Sequence, residues 1–276
     1  MRLAVSGSRS LVAQALKSAC ARAGGEVILL GRGEEADIVF DLTNVAQEPP
    51  KLIADALVVC SASFAGATIE GMAENITVNV LGALRLLQLA AQNGIKQFVY
   101  LSSLSALKPN DTYGLSKAMA EDALRLVAPA SGVTLTILRP AQLYDDAGAA
   151  SRHQPFLYYM VRELSSGRDI SLHGTRDVMR NYLHVDDLAA VILECVRVGK
   201  TGTFNAVHPR SLSVRQVAET IRDTFHSPAA IAFDPSKPDM AEIVIPSSDN
   251  IFSQFPDLLP RSLRDGMSAL ASRVGG

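Results

Sequence analysis

A chain of 276 residues is long enough for one large domain or two lobes with an ample core. It is 48% hydrophobic and 20% charged, as in ordinary globular enzymes, and its formal net charge of -2 gives no electrostatic reason for nucleic acid or an anionic membrane as partner. No apolar run reaches the ~18 residues of a membrane span, and Arg2-Leu3-Ala4-Val5 runs straight into a turn instead of reading as a signal peptide.

In chain order, residues 3–5 read as a short buried strand, followed by the turn Ser6-Gly7-Ser8-Arg9-Ser10 and a helix over 11–22 that Gly24-Gly25 stops. A second strand is predicted at 27–30, and a third at 38–40 after a connection too short for a full helix. The fourth is at 57–60. A long helix over about 74–92 precedes a fifth strand at 97–101 and the helix that carries Tyr113; a sixth strand follows at 133–138. Helices alternating with continuous apolar strands predict an α/β fold, a doubly wound parallel sheet (Rossmann) covered on both faces. Ligands of such sheets bind beyond the carboxyl ends of the strands, where Gly7, Asp41, Ser61 and Ser103 fall. Cys20, Cys60 and Cys195 lie in apolar runs without metal-ligand spacing, so we expect reduced core thiols, a cytoplasmic protein and no metal site.

Tyr113 and Lys117, four residues apart, share one face of a helix. An ammonium beside a phenol favours the phenolate, so Lys117 is expected to lower the Tyr113 pKa from about 10 toward working pH. Such a phenol can give or take a proton while hydride moves at a neighbouring carbon. The strand Phe98-Val99-Tyr100-Leu101-Ser102-Ser103 ends in hydroxyls, and a strand-end serine can hydrogen-bond the same substrate oxygen. A surface tyrosine and a solvated lysine have this spacing by chance just as readily. The meaning of the pair therefore depends on a dinucleotide site around it.

The first strand–turn–helix has the spacing Gly7-x-x-Ser10-x-x-Ala13, with two small residues where a phosphate cradle wants glycines. A plain βα turn fits it equally well. The second strand runs into Gly31-Arg32-Gly33. Arg32 stands where an acidic residue would bind an NAD ribose 2′-hydroxyl; with Arg9 it suits a 2′-phosphate, unless both are merely exposed loop residues. Asp41 ends the third strand, where a carboxylate can accept the adenine amino group.

Taken together, these segments resemble the extended short-chain dehydrogenase/reductases of the NAD(P)-dependent epimerase/dehydratase family. Val5-Ser6-Gly7 through Ala13 resembles the T-G-x-x-G-x-x-G turn in degraded form, Asp41-Leu42-Thr43 the D-L-T/S element, and Cys60-Ser61-Ala62 the L-A-A strand end. Asn79-Val80-x-Gly82 with Leu86-Leu87 is similar to N-V-x-G-T-x-N-L-L, and residues 98–103 to F-V-x-x-S-S. Leu138-Arg139-Pro140-Ala141-Gln142-Leu143-Tyr144 resembles L-R-P-x-N-V-Y, with glutamine for asparagine, and residues 180–187 resemble R-D-Y-I-H-V-x-D. Lys237-Pro238-Asp239 stands where many members have R-P-G, and Pro260-Arg261-Ser262-Leu263 resembles P-x-T-S-L.

The resemblance implies a dinucleotide-binding unit over 1–140, completed by about 168–207, and a smaller C-terminal α/β substrate lobe built from 141–167 and 208–276. It implies Tyr113 as acid/base, Lys117 as its tuner and a ribose ligand, and Ser103 as the oxygen-positioning hydroxyl. Cofactor contacts would come from Gly7, Arg9, Ser10, Leu11, Arg32, Asp41, Leu42, Ser61, Ala62, Asn79, Tyr113, Lys117 and Pro140, and substrate contacts from Ser103, Gln142, Arg180 and Lys237. Arg180 would hold the diphosphate of a nucleotide-activated sugar, its fork suiting phosphate, or else form a surface salt bridge with Asp177 or Asp186. Lys237 is a second phosphate ligand or simply solvated. His184 reads as structural, Asp186-Asp187 as an N-cap at least as well as a metal site, and Phe156, Tyr158 and Tyr159 as core or substrate wall.

Departures from the family pattern narrow the chemistry. Tyr113 follows Ser103 by only ten positions, much closer than in sugar epimerases of the family, and Leu104-Ser105-Ala106 replaces the Asp-Glu pair of the dehydratases. The expectation is an NADP(H)-dependent keto-sugar reductase in polysaccharide biosynthesis, with NAD(H) possible. A nucleotide-sugar 4-epimerase is the alternative, and a non-catalytic NADP(H) sensor is one of another class. The helix over 74–92 is apolar on more than one face, as is the tyrosine helix with Leu115, Met119 and Leu126. A two-fold homodimer through these helices is expected, unless the C-terminal lobe covers the surplus face.

Overall fold

Strand β1 (Arg2–Ser6) is the middle of the molecule because its apolar run is buried on both faces. This computed structural model describes residues 1–274. Strand β1 pairs in parallel with β2 (Glu26–Gly31) on one side and β4 (Ala56–Val59) on the other; β3 (Ile38–Val39), only two residues long, extends the β2 edge. Beyond β4 lie β5 (Gln97–Leu101) and β6 (Thr134–Pro140). A later strand, β11 (Gly202–Ala206), closes the order β11-β6-β5-β4-β1-β2-β3, with every pair parallel. The order reverses between β1 and β4, so the crevice of this doubly wound sheet opens beyond Ser6 and Val59.

Two apolar layers cover the sheet. On one face α1 (Leu11–Arg22) packs against α6 (Val185–Val198), around Leu16, Leu188 and Val191. On the other, α3 (Gly82–Gln92) and α4 (Thr112–Val127) bury Leu86, Leu87, Ala120 and Leu124. The helix expected over 74–92 in fact starts earlier, as α2 (Ile69–Asn75), which Thr68 caps by accepting from Gly71 N at 3.0 Å. It then runs through a π-helical stretch, Ile76–Leu81, into α3. Wide turns of this kind often mark functional sites, and this one carries Asn79.

A third core, including Leu157, Met160, Leu172, Val217 and Met267, belongs to the C-terminal half. There α5 (Pro155–Ser165), α7 (Val214–Thr224) and α8 (Leu263–Val274) pack beside three small pairings. The pairs are β7 (Gln142–Tyr144) with β10 (Tyr182–His184), β8 (Ile170–His173) with β13 (Ile231–Asp234), and β9 (Met179–Arg180) with β12 (Leu212–Ser213). All three cysteines are free thiols. No helix among the described residues is long and apolar enough to cross a membrane, and no three His, Cys, Asp or Glu there are grouped to hold a metal ion.

Candidate active site

The turn after β1 is open to an anion. Gly7 has φ +83°, and a Cβ there would lie 2.8 Å from Ser61 N, so only glycine fits between the ends of β1 and β4. Ser10 N donates to Gly7 O at 2.7 Å, and α1 begins at Leu11. The Ser10 side chain makes no cap bond and the first turn of α1 has no acidic residue, so its amides keep the positive end of the helix for a ligand. Ala13, in place of the last glycine, is fully buried, and Ser6 Oγ meets Ser61 Oγ at 2.9 Å across the crevice, next to Ala62. The eroded motif thus retains its one indispensable glycine.

Arg9 and Arg32 are both exposed near the carboxyl end of β2, the Arg9 side chain running beside Gly33. Asp41 lies close to Arg32. Its carboxyl sits below the usual range chiefly because Thr43 N donates to it, with Arg32 and Arg85 adding to the effect. Asp41 Oδ1 accepts from Thr43 N at 2.9 Å and Thr43 Oγ1 at 2.8 Å, so this oxygen closes a local turn. Arg85 donates to Asp41 O and Leu42 O at 2.9 and 2.8 Å and fixes the segment.

Helix α4 starts where Asp111 Oδ1 accepts from Gly114 N at 2.6 Å. A Cβ on Gly114 would come within 2.7 Å of Ser105 O, so the glycine lets α4 pack directly on the turn that follows Ser103. That approach brings Tyr113 and Ser103 together. The expected tuning by Lys117 is corrected by the structure. Burial dominates and pushes the Tyr113 phenol well above its ordinary value, while the Ser103 hydroxyl pulls the other way. Lys117 is buried and donates from Nζ to Leu101 O at 2.7 Å; its Nζ lies 4.6 Å over the Tyr100 ring and 5.9 Å from that of Tyr113. Burial also lowers its own pKa to about 7, so a full ammonium charge is not pressed against the phenol. Burial thus favours the neutral form of the Tyr113 phenol.

Beneath these residues lies a network that the sequence reading missed. Glu121, one turn beyond Lys117 and 1% exposed, accepts from Arg139 Nε at 2.8 Å and also holds Ser102 Oγ and Arg125. It joins α4 to the end of β5, next to Ser103, and to the end of β6, next to Pro140. The available signal was a carboxylate continuing the Tyr113–Lys117 face at four-residue spacing. Asn79, expected at the cofactor, spends its amide on the protein: Oδ1 accepts from Ser63 N at 2.8 Å, and Nδ2 donates to Ser63 O and Ser116 Oγ, each at 2.9 Å.

In the C-terminal half, Gln142 Nε2 donates to Gln154 at 3.1 Å while its buried Oε1 has no partner among the described residues. Arg180 is no surface salt bridge: it is buried and donates to Met179 O and Ala241 O, while the Asp177 carboxylate serves Arg215 N and Asp186 lies by Arg261. It lines a cavity of about 270 Å³ together with Tyr182, His208, Arg210 and Arg264. None of these three arginines forms an ion pair with a carboxylate among the described residues. Lys237 is exposed. The N-cap of α6 is His184 rather than the Asp pair: its Nδ1 accepts from Asp186 N at 3.1 Å, and Asp187 binds Arg261. Tyr158 Oη is tied to Asp145, Phe156 packs on the third core, and Tyr159 is partly exposed under Arg162.

Comparison with known proteins places this geometry. The profile of the NAD dependent epimerase/dehydratase family matches residues 3–206. A dTDP-4-dehydro-6-deoxy-D-allose reductase of a Streptomyces species is 25% identical over 240 residues, 79% of this chain and 73% of that protein. Among solved structures, the UDP-N-acetylglucosamine 4-epimerase of Bacillus cereus superposes with a TM-score of 0.79 at 19% identity, covering 100% of this chain and 97% of that one. A Pseudomonas aeruginosa protein designated RMD, solved with NADPH, gives a TM-score of 0.76 at 20% identity over 98% and 96% of the two chains.

Proposed function

The chain belongs to the NAD-dependent epimerase/dehydratase family, and from that premise we propose that it is an NADP(H)-dependent reductase of a 4-keto sugar carried on a nucleoside diphosphate. One observation carries the reading: Tyr113 lies beside the Ser103 hydroxyl, at the carboxyl edge of a sheet whose first βα turn is open to a pyrophosphate. Curated relatives named as dTDP-4-dehydro-6-deoxy-sugar reductases support the substrate class. So do the three arginines without carboxylate partners around one cavity, and the unpartnered Gln142 Oε1. In this reading 141–167 and 208–276 form the substrate lobe, and Lys237 adds a peripheral charge toward the phosphates.

The residues of the cradle fit a dinucleotide, with Gly7, Ser10 and Leu11 at its pyrophosphate and Arg9 and Arg32 at a 2′-phosphate. When bound, that cofactor supplies hydride to the carbonyl carbon. The chain supplies the rest. Ser103 orients the carbonyl oxygen by donating to it, and Tyr113 delivers the phenolic proton to that oxygen as charge develops there. Lys117 Nζ lies 5.9 Å from the centre of the Tyr113 ring while donating to Leu101 O. An epimerase would need Tyr113 to begin as a base beside NAD⁺, and a sensor would need no proton donor; the exposed Arg9 and Arg32 beside the cradle favour NADPH and with it the reductase. The cofactor that copurifies tests the choice: exchangeable NADPH agrees with the reductase, and tightly retained NAD⁺ would favour 4-epimerisation.

Arg32→Ala should weaken NADPH binding by about 10- to 100-fold, as expected for losing a charge-assisted phosphate contact, and leave NADH nearly untouched. Fluorescence titration of both cofactors checks this; an equal loss for both would reduce Arg32 to a surface residue. A homodimer also belongs to the proposal. Leu81, Leu115 and Met119 are 47%, 43% and 38% exposed on neighbouring helical segments, so the C-terminal lobe does not cover them in one chain. Light scattering at micromolar concentration should give twice 29.4 kDa; a clean monomer mass would refute it.

A further inference from the structure

Phe64 is 60% exposed, yet its ring stacks on that of Tyr113 with centroids 4.2 Å apart and planes at 21°. An aromatic side chain on a loop is ordinarily free to turn away, but the backbone on both sides of this one is held by a pair of buried asparagines. Asn79 exchanges two hydrogen bonds with the backbone of Ser63, and Asn75 does the same with Ala65, accepting from N at 3.0 Å and donating to O at 3.1 Å. Both asparagines are at most 1% exposed and stand four residues apart, at the end of α2 and in the π-helical stretch. Their amides reach onward to α4, Asn75 to Thr112 Oγ1 at 3.1 Å and Asn79 to Ser116 Oγ at 2.9 Å. The residues flanking Phe64 are thus tied, through two side chains, to residues flanking Tyr113.

We propose that Phe64 is a positioning residue for Tyr113: held by the Asn75–Asn79 clamp, it fixes the plane of the tyrosine ring and shields the phenol from water. The proposal rests on the reading of Tyr113 as the acid. Stacked rings pack with defined offset, and the face Phe64 covers is closed to solvent, which keeps the phenol in its protonated form. The titratable and charged groups around that phenol are Lys117 on its own helix, Asp111 before it and Tyr100 on β5, with His153 meeting the Phe64 ring at 5.7 Å. The clamp fixes the backbone on both sides of Phe64.

The test is the NADPH-loaded enzyme with a dTDP-4-keto-6-deoxyhexose. Phe64→Ala should lower kcat by roughly 3- to 10-fold, the worth of a stacked aromatic pair, with the KM for NADPH unchanged. The alkaline limb of kcat should move to lower pH, and Phe64→Tyr should restore both. Equal kcat and an unmoved limb in Phe64→Ala would overturn the proposal, as would a Phe64→Tyr variant no better than alanine. Tyrosinate absorbance, taken as the difference from the Tyr113→Phe protein in each background, reads the same phenol without turnover. Its transition should fall in Phe64→Ala, and an unmoved transition overturns the role of Phe64 even where the reductase reading stands. Full turnover by Tyr113→Phe would instead sink that reading, and the absorbance difference alone would then decide on Phe64.

Discussion

Tyr113→Phe should reduce turnover by roughly 10²–10⁴ while leaving cofactor affinity nearly unchanged. The change removes one oxygen and keeps the ring, so the stack on Phe64 and the packing of α4 survive. On the proposed reading, what disappears is the proton donor to the substrate oxygen, and a positioned acid contributes about that factor. Ser103 still donates to the oxygen, which sets a floor above the uncatalysed rate. Because the Tyr113 pKa is raised, the phenol remains protonated through neutrality, and wild-type kcat should stay level there and decline only on the alkaline side. Single-turnover rates with NADPH check both statements. Wild-type turnover in the variant would remove Tyr113 from the chemistry.

Glu121→Gln should be the most destabilising single change near the site, costing about 3–5 kcal/mol, the usual result of breaking a buried ion pair from one side. The carboxylate is enclosed, and its loss leaves Arg139 facing an amide at the ends of β5 and β6. A fall in Tm of roughly 10 °C is expected. Burial pushes the Glu121 carboxyl up, but the bonds from Arg139, Ser102 and Arg125 outweigh it, and its folded pKa lies below the ordinary 4.5. Its contribution is therefore complete above that value and is lost as pH falls through the lower, folded one. Wild type and variant should converge in stability in acid. Glu163, half-buried and bonded to the exposed Arg162 and Arg168, makes a control: Glu163→Gln should lower Tm far less because solvent around both arginines screens the pairs.

Much of this was legible in the chain because periodicity and strand ends are local properties. Continuous apolar runs at 3–5 and 57–60, alternating with helices, predict strands covered on both sides, and they lie in the sheet at β1 and β4. Gly7 was readable because a tight turn from strand to helix wants a glycine, and its positive φ in the structure agrees. What depends on three-dimensional neighbours was hidden. A Tyr-x-x-x-Lys spacing says nothing of whether the lysine turns to the phenol or to Leu101 O, and so the direction of the Tyr113 shift was misjudged. Neither Phe64 nor Asn75 carries a pattern in sequence, since their meaning lies in contacts with α4 made from far along the chain. The π-helical stretch was likewise invisible, being written in the same apolar residues as an α-helix.

The most direct test of the central claim counts cofactor against product. Mixed with NADPH and a dTDP-4-keto-6-deoxyhexose, the enzyme should oxidise one NADPH for each sugar whose 4-carbonyl becomes a hydroxyl, in a continuing multiple-turnover reaction. Inversion at C4 of a dTDP-6-deoxyhexose with no net change in a tightly held NAD⁺, and no NADPH oxidised with the keto sugar, would contradict it.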